Sequence, residues 1–257
     1  DVNISLNSNS LDGYKQFYKT NIDKLNITTN CYSNKNYEKN NYNGWFSPMN
    51  KVILRYVLNN YDMKNIVELG AWFGKSTLFI AENTKANIYS FDTFQNTFIS
   101  SFISDGNDVL DNFYFKYLRF ETFHSNLRNY KNVYSVKYDC YNAIELLKQN
   151  NMKIDLFYID FLKNTYKLIK FINNIKRIYP NAIIIGDDYI IKSVQKAISI
   201  LQKKFKIYTF NACYVIFPFK IDKEKFYKEL NKDSLIKKKQ IINKNLENIN
   251  NNMFFLY

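Results

Sequence analysis

Residues 65–94, NIVELGAWFGKSTLFIAENTKANIYSFDTF, constrain the fold more than any other part of the chain. Asn65–Leu69 is a short apolar run bounded by turn residues, the pattern of a strand buried on both faces of a parallel sheet. Gly70 and Gly74 break that pattern, and glycine lets a backbone turn tightly and approach a ligand closely. Residues 76–82 then start a helix whose N-terminus offers free N–H groups. Residues 87–91 read as a second strand. Asp92 at its tip follows Gly70 by 22 residues, near the ~20-residue spacing at which an acid reaches a ribose hydroxyl pair in doubly wound sheets. The stretch predicts a strand-turn-helix-strand unit with a nucleoside-binding crevice at the strand tips.

The string Gly70-Ala71-Trp72-Phe73-Gly74-Lys75-Ser76 is close to a phosphate-cradling P-loop, but three residues separate its glycines where that loop needs four. Glu68, directly before the turn, would also repel a polyphosphate. An ordinary crossover unit whose glycines only make a turn is the bland alternative; the acids at 68 and 92 count against it.

The remaining pattern extends the unit. Residues 1–43 are polar and read as an arm or lid without a core. Ser47-Pro48 is an N-cap followed by proline at the first helical position, predicting a helix over 48–59. Trp45 and Phe46 before it either staple that helix into the core or roof the crevice. Residues 93–111 have no period and suggest a substrate-covering loop. A helix is expected over 112–129, where His124, the chain's one histidine, reads as an ordinary surface or packing residue rather than a base. Strands are expected at 133–138, 155–159 and 182–185, helices at 141–150, 166–177 and 190–203, and a hairpin at 206–210 and 213–217. Five strand–helix units closed by a hairpin give a seven-stranded sheet. Glu68, Asp92, Asp139, Asp160 and Asp187 fall at five successive strand tips, where packing alone explains them poorly because unpaired buried carboxylates are costly.

The ordered set VELGAWFGKST (67–77), IYSFDTF (88–94), YID (158–160) and GDDY (186–189), preceded by GWFSP (44–48), resembles the motifs of the class I S-adenosylmethionine-dependent methyltransferases, in particular the macrocin-type O-methyltransferase branch. The resemblance covers residues 44–219. It implies a Rossmann-like seven-stranded class I methyltransferase sheet with a C-terminal antiparallel hairpin, and S-adenosyl-L-methionine as cofactor. The cofactor half would be Glu68, Gly70, Ala71, Gly74, Ser76, Asp92, Thr93, Asp139 and Cys140. Asp139 would face the adenine amino group, unless it only caps the next helix. The acceptor half would be Asp160, Asp187, Lys163 and Tyr166. Asp160, Asp187 and Asp188 would share one hard cation such as Mg2+, which would orient and acidify a diol; one functional acid and one helix cap is the alternative for the Asp187-Asp188 pair. The implied acceptor is a small molecule bearing a sugar or polyol hydroxyl. The sequence departs from the branch after strand four: a histidine expected there is replaced by Phe161-Leu162-Lys163-Asn164-Thr165-Tyr166. Lys163 or a metal-bound acceptor would have to supply the base, or the domain binds without catalysis.

Composition limits the alternatives. At 257 residues and 46% hydrophobic content the chain can bury one good core, with 1–43 as arm, 44–219 as catalytic domain and 220–257 as a basic helical extension. Three separated cysteines and one histidine do not make a structural zinc site. The odd cysteine count and the lack of a secretory segment point to a soluble, cytoplasmic setting, and no apolar run reaches the ~18 residues of a membrane span. The net charge of +13 keeps nucleic acid open as a partner and an RNA or cap methyltransferase as an alternative. Residues 202–244 carry twelve Lys against Asp222, Glu224, Glu229 and Asp233, a concentration that a solvated helix face also explains.

Overall fold

The computed structural model describes residues 46, 50–94, 123–124 and 126–233. In chain order they form α1 (Asn50–Asn60), β1 (Asn65–Leu69), α2 (Lys75–Asn83), β2 (Asn87–Asp92), β3 (Val133–Lys137), α3 (Ala143–Gln149), β4 (Leu156–Ile159), α4 (Thr165–Ile178), β5 (Ile183–Gly186), α5 (Lys192–Leu201), β6 (Ile207–Phe210) and β7 (Cys213–Ile216). Residues 223–233 add a further helix.

The strands make one seven-stranded sheet in the order β3-β2-β1-β4-β5-β7-β6. β1 pairs in parallel with β2 and with β4, whereas β7 runs antiparallel to β5 and β6. Order reverses at β1, so the tips of β1 and β4 flank the switch point where ligands bind in such sheets.

Two-residue alternation sorts the strands onto two cores. Val67, Leu69, Phe157, Ile159 and Ile184 face α3, α4 and α5. Ile66, Leu156, Tyr158, Ile183 and Ile185 face α1, α2, Phe226 and Leu230. Arg55 on α1 also pairs with Asp233 at 2.9 Å, so the start of the basic C-terminal extension belongs to the second core rather than forming an appendage.

Several expected boundaries move. β3 stops at Lys137, although Tyr138 N still donates to Asp92 O at 3.0 Å. α5 begins at Lys192 instead of residue 190, because Asp188 takes φ 61° and Tyr189 N donates to Ala212 O of the hairpin at 2.7 Å. Phe46 is buried against Phe79 and Tyr158, the stapling arrangement. His124 lies 2.9 Å from Ser135 Oγ of β3, and burial lowers its pKa to about 4, which fits a neutral packing residue. The expected arm at 1–43, Trp45, the Ser47-Pro48 cap, nearly all of the 93–111 loop and the chain after 233 lie outside the described residues.

Candidate active site

The direction of Glu68 follows from the same alternation. With Val67 and Leu69 turned to one core, Glu68 is turned with Ile66 toward α2 and is fully buried. Its carboxylate accepts from Ser76 Oγ at 2.5 Å, from Ser90 Oγ at 2.7 Å and from Thr77 Oγ1. Burial nevertheless raises its pKa, since three hydrogen bonds only partly replace water. Glu68 and Ser76, both expected to touch the cofactor, are thus committed to each other beneath the turn and brace β1, α2 and β2 together.

The turn itself is held at several points. Gly70 N donates to Phe91 O at 2.9 Å, Gly74 N to Ala71 O at 2.8 Å and Trp72 N to Asp92 Oδ2 at 2.9 Å. Gly70 adopts φ 96°, and a Cβ there would lie 2.5 Å from the Asp160 carbonyl oxygen, so only glycine lets β1 and β4 end side by side. Asp92 Oδ1 accepts from Phe94 N at 2.8 Å. One N–H on each oxygen leaves each a further lone pair for a diol, with Thr93 partly exposed beside it. Asp139 Oδ1 accepts from Asn142 N at 3.1 Å and so closes the turn before α3, whose own N-cap is Asn142. Cys140 is buried with its thiol on Phe91 O at 3.4 Å, and burial pushes that thiol up.

Across the switch point, β4 and β5 deliver the second group of acids. Asp160 has a pKa well above the ordinary carboxylate range, first through burial and then through Asp187 and Asp188; Lys163 works the other way. Asp187 Oδ2 accepts from Asn50 Nδ2 at 2.5 Å and from Tyr158 OH at 3.3 Å, and its Oδ1 accepts from Asp188 N at 2.6 Å. Burial raises its pKa as well. Lys163 Nζ pairs with Asp188 Oδ2 at 2.9 Å. Burial is the largest single influence and opposes the Lys163 charge, but the Asp188 hydrogen bond and the charges of Asp188, Asp160 and Asp187 together outweigh it and the pKa is raised, so this ammonium is a poor base. Tyr166 is 75% exposed and Ile190 70% exposed, giving this side an apolar rim.

The expected magnesium site is not assembled. Among the described residues no group of three His, Cys, Asp or Glu side chains could hold a metal ion. Asp160, Asp187 and Asp188 are near enough to feel one another, yet Asp188 is neutralised by Lys163 and both oxygens of Asp187 already have donors. That donor set does not fit a divalent cation.

Asn50 and Tyr158 join the site without having been expected there. For Asn50 the signal was available: it sits at i, i+3, i+4 and i+7 with the buried Ile53, Leu54 and Val57, a polar side chain in an apolar stripe. Such a residue has a partner across the fold.

A seven-stranded sheet whose seventh strand is antiparallel, with acids at the tips of β2, β4 and β5 around a glycine turn, is the Rossmann-like methyltransferase fold. Residues 67–189 match the family model described as Methyltransferase domain. No curated protein matches the chain. Among solved structures, the O-methyltransferase from Bacillus cereus in complex with SAH is similar at 10% identity over 80% of this chain and 99% of that one, TM-score 0.49. The O-methyltransferase NovP is similar at 14% identity over 66% and 78%, TM-score 0.45. A chain of a fibrillarin/Nop5p complex is similar at 13% identity over 71% and 91%, TM-score 0.44.

Proposed function

We propose that the protein is an S-adenosylmethionine-dependent O-methyltransferase acting on a hydroxyl of a small acceptor of the sugar or polyol class, as the macrocin-type motifs imply. The observation that carries this reading is the packing of Asp160 against Gly70: an acid with a raised pKa stands directly beside the turn expected to hold the methyl donor. Bound there, the cofactor supplies an electrophilic methyl group. Asp92 would take the ribose hydroxyls on its free lone pairs, and Asp139 and the backbone around Gly70 would line the rest of the nucleoside. Asp160 would accept the acceptor's hydroxyl proton, the role for which a raised carboxyl pKa is suited. Asp187, held by Asn50 and Tyr158, would orient the acceptor; Lys163 and Asp188 would tie the two loops that frame it.

No helix among the described residues is long and apolar enough to cross a membrane. Cys140 and Cys213 are buried free thiols, which supports placing the protein in a reducing cytoplasm.

Calorimetric titration with S-adenosylmethionine and S-adenosylhomocysteine tests the cofactor, and methyl transfer to a panel of sugars and polyols tests the acceptor. Absence of heat with both would remove the reading. Binding without transfer to any hydroxyl would leave a non-catalytic binding domain.

A further inference from the structure

A groove of about 1020 Å³ runs along α4, outside the crevice. Its charged lining is Lys167, Lys170, Lys176, Arg177 and Lys204, and it contains no Asp or Glu. Lys176 turns its ammonium to the carbonyls of Ala182 and Pro180 at 2.7 and 3.3 Å. Among the described residues the others have no carboxylate partner: Arg177 donates to Asn174 Oδ1 at 2.7 Å and Lys204 to Asn173 Oδ1 at 3.0 Å. Four cations without a carboxylate partner among the described residues repel each other on one concave surface unless an anion joins them, and α4 contains no acid at all.

One aromatic of the lining, Tyr141, lies where the groove meets the crevice. Tyr141, two residues beyond Asp139, is 42% exposed; its ring meets Phe161 at 5.0 Å and Phe171 at 6.3 Å, both edge-on, and Lys167 Nζ lies over it at 5.4 Å, so one cation of the row already marks the ring where a base would stack on the remaining surface. Phe161 in turn follows Asp160. The groove therefore begins at a fixed, half-open ring next to the strand tips and continues as a row of cations. From Lys167 to Arg177 the helix extends about 15 Å, the reach of a few consecutive nucleotides.

We propose that this groove binds a single-stranded polynucleotide, with its phosphates on Lys167, Lys170, Arg177 and Lys204 and a base stacked on Tyr141. Cations that track a backbone and end on a stacking ring are the recognition chemistry of single strands. An anionic bilayer fits less well, because Leu168, Phe171, Ile172 and Ile175 of α4 are committed to the core and leave no apolar face to insert. An acidic protein would use the cations but has no need of the ring. The proposal concerns binding alone and stands independently of the methyl-transfer reading.

The test is fluorescence anisotropy of a labelled oligouridine with the full chain across a salt series. With about four phosphate contacts, log affinity should fall against log salt with a slope near −3. The double variant Lys170→Glu/Arg177→Glu should lose more than tenfold in affinity and about half of that slope, with an unchanged melting midpoint to show that it folds. Tyr141→Ala should weaken binding roughly fivefold or more and leave the slope alone. An oligouridine affinity indifferent to the double variant would overturn the proposal. So would polyglutamate or phosphatidylserine vesicles binding as tightly as oligouridine, with Tyr141→Ala affecting neither.

Discussion

Gly70 and Asp160 end adjacent strands, and their backbones are so close that any side chain at Gly70 would begin 2.5 Å from the Asp160 carbonyl oxygen. The contact ties the glycine turn after β1 to the acid that follows β4. Substituting Gly70 by Ala imposes both a left-handed strain at φ 96° and a clash with backbone that cannot move aside. Gly74 has a similar φ of 83°, but a Cβ there meets only side-chain carbons of Phe123 and Leu127 at 2.9 Å, which can yield. Gly70→Ala should cost at least about 2 kcal/mol, more than Gly74→Ala, as read from urea midpoints of the two variants.

Glu68 offers a test of stability and of its pH dependence. Glu68→Ala would leave the hydroxyls of Ser76, Thr77 and Ser90 buried without their acceptor, a loss of about 3 kcal/mol or more. Glu68→Gln keeps the shape and removes the titration. Because the folded pKa is raised above the ordinary value, the folded chain holds a proton that the unfolded chain has released. Glu68 stabilisation therefore declines as pH rises through that interval. The difference in urea midpoint between Glu68→Gln and the natural chain should shift in favour of the glutamine form as pH increases from about 4.5.

A base must be ionised to act, so the raised pKa of Asp160 places the acidic limb of the rate profile above the ordinary carboxylate range. Asp160→Asn should lose about 10²–10⁴-fold in kcat on the best-used sugar or polyol, with S-adenosylhomocysteine affinity close to unchanged. Lys163 holds the Asp160 pKa down and neutralises Asp188. Removing that charge with Lys163→Met should move the limb to higher pH. A limb that stays in place would show that Asp160 is not the titrating base.

The sheet was legible because its evidence is short-range: apolar runs such as 66–69, glycine breaks and the Asn211-Ala212 turn each declare themselves within a few residues. The acids were legible as a set for the same reason, each standing at the end of such a run. What each acid does depended on direction and on distant partners. Glu68 lies on the Ile66 side of β1 and meets α2, a consequence of alternation that overrides its position at a strand tip. Lys163 looks like a free base in sequence, but the turn at Asp188 brings a carboxylate to it from the next strand. Asn50 is separated from Asp187 by 137 residues, and in a chain so rich in asparagine its type carries little information; only its place in a buried stripe does.

The engaged acids lead to a definite expectation for divalent cations. Asp187 Oδ2 already receives Asn50 Nδ2 and Tyr158 OH, and Oδ1 receives the Asp188 amide. The Lys163 ammonium holds Asp188. A magnesium ion would have to displace these donors and expel a cation from the same space, so the repulsion that a metal would otherwise relieve is already reduced. Chelator-treated and magnesium-loaded protein should melt within about a degree of each other and turn over alike. A true site held at a hundredfold over its dissociation constant would add about 2.7 kcal/mol and raise the midpoint by several degrees. A rise of that size, abolished by Asp187→Asn, would show that Lys163 swings away and that the three carboxylates close on an ion.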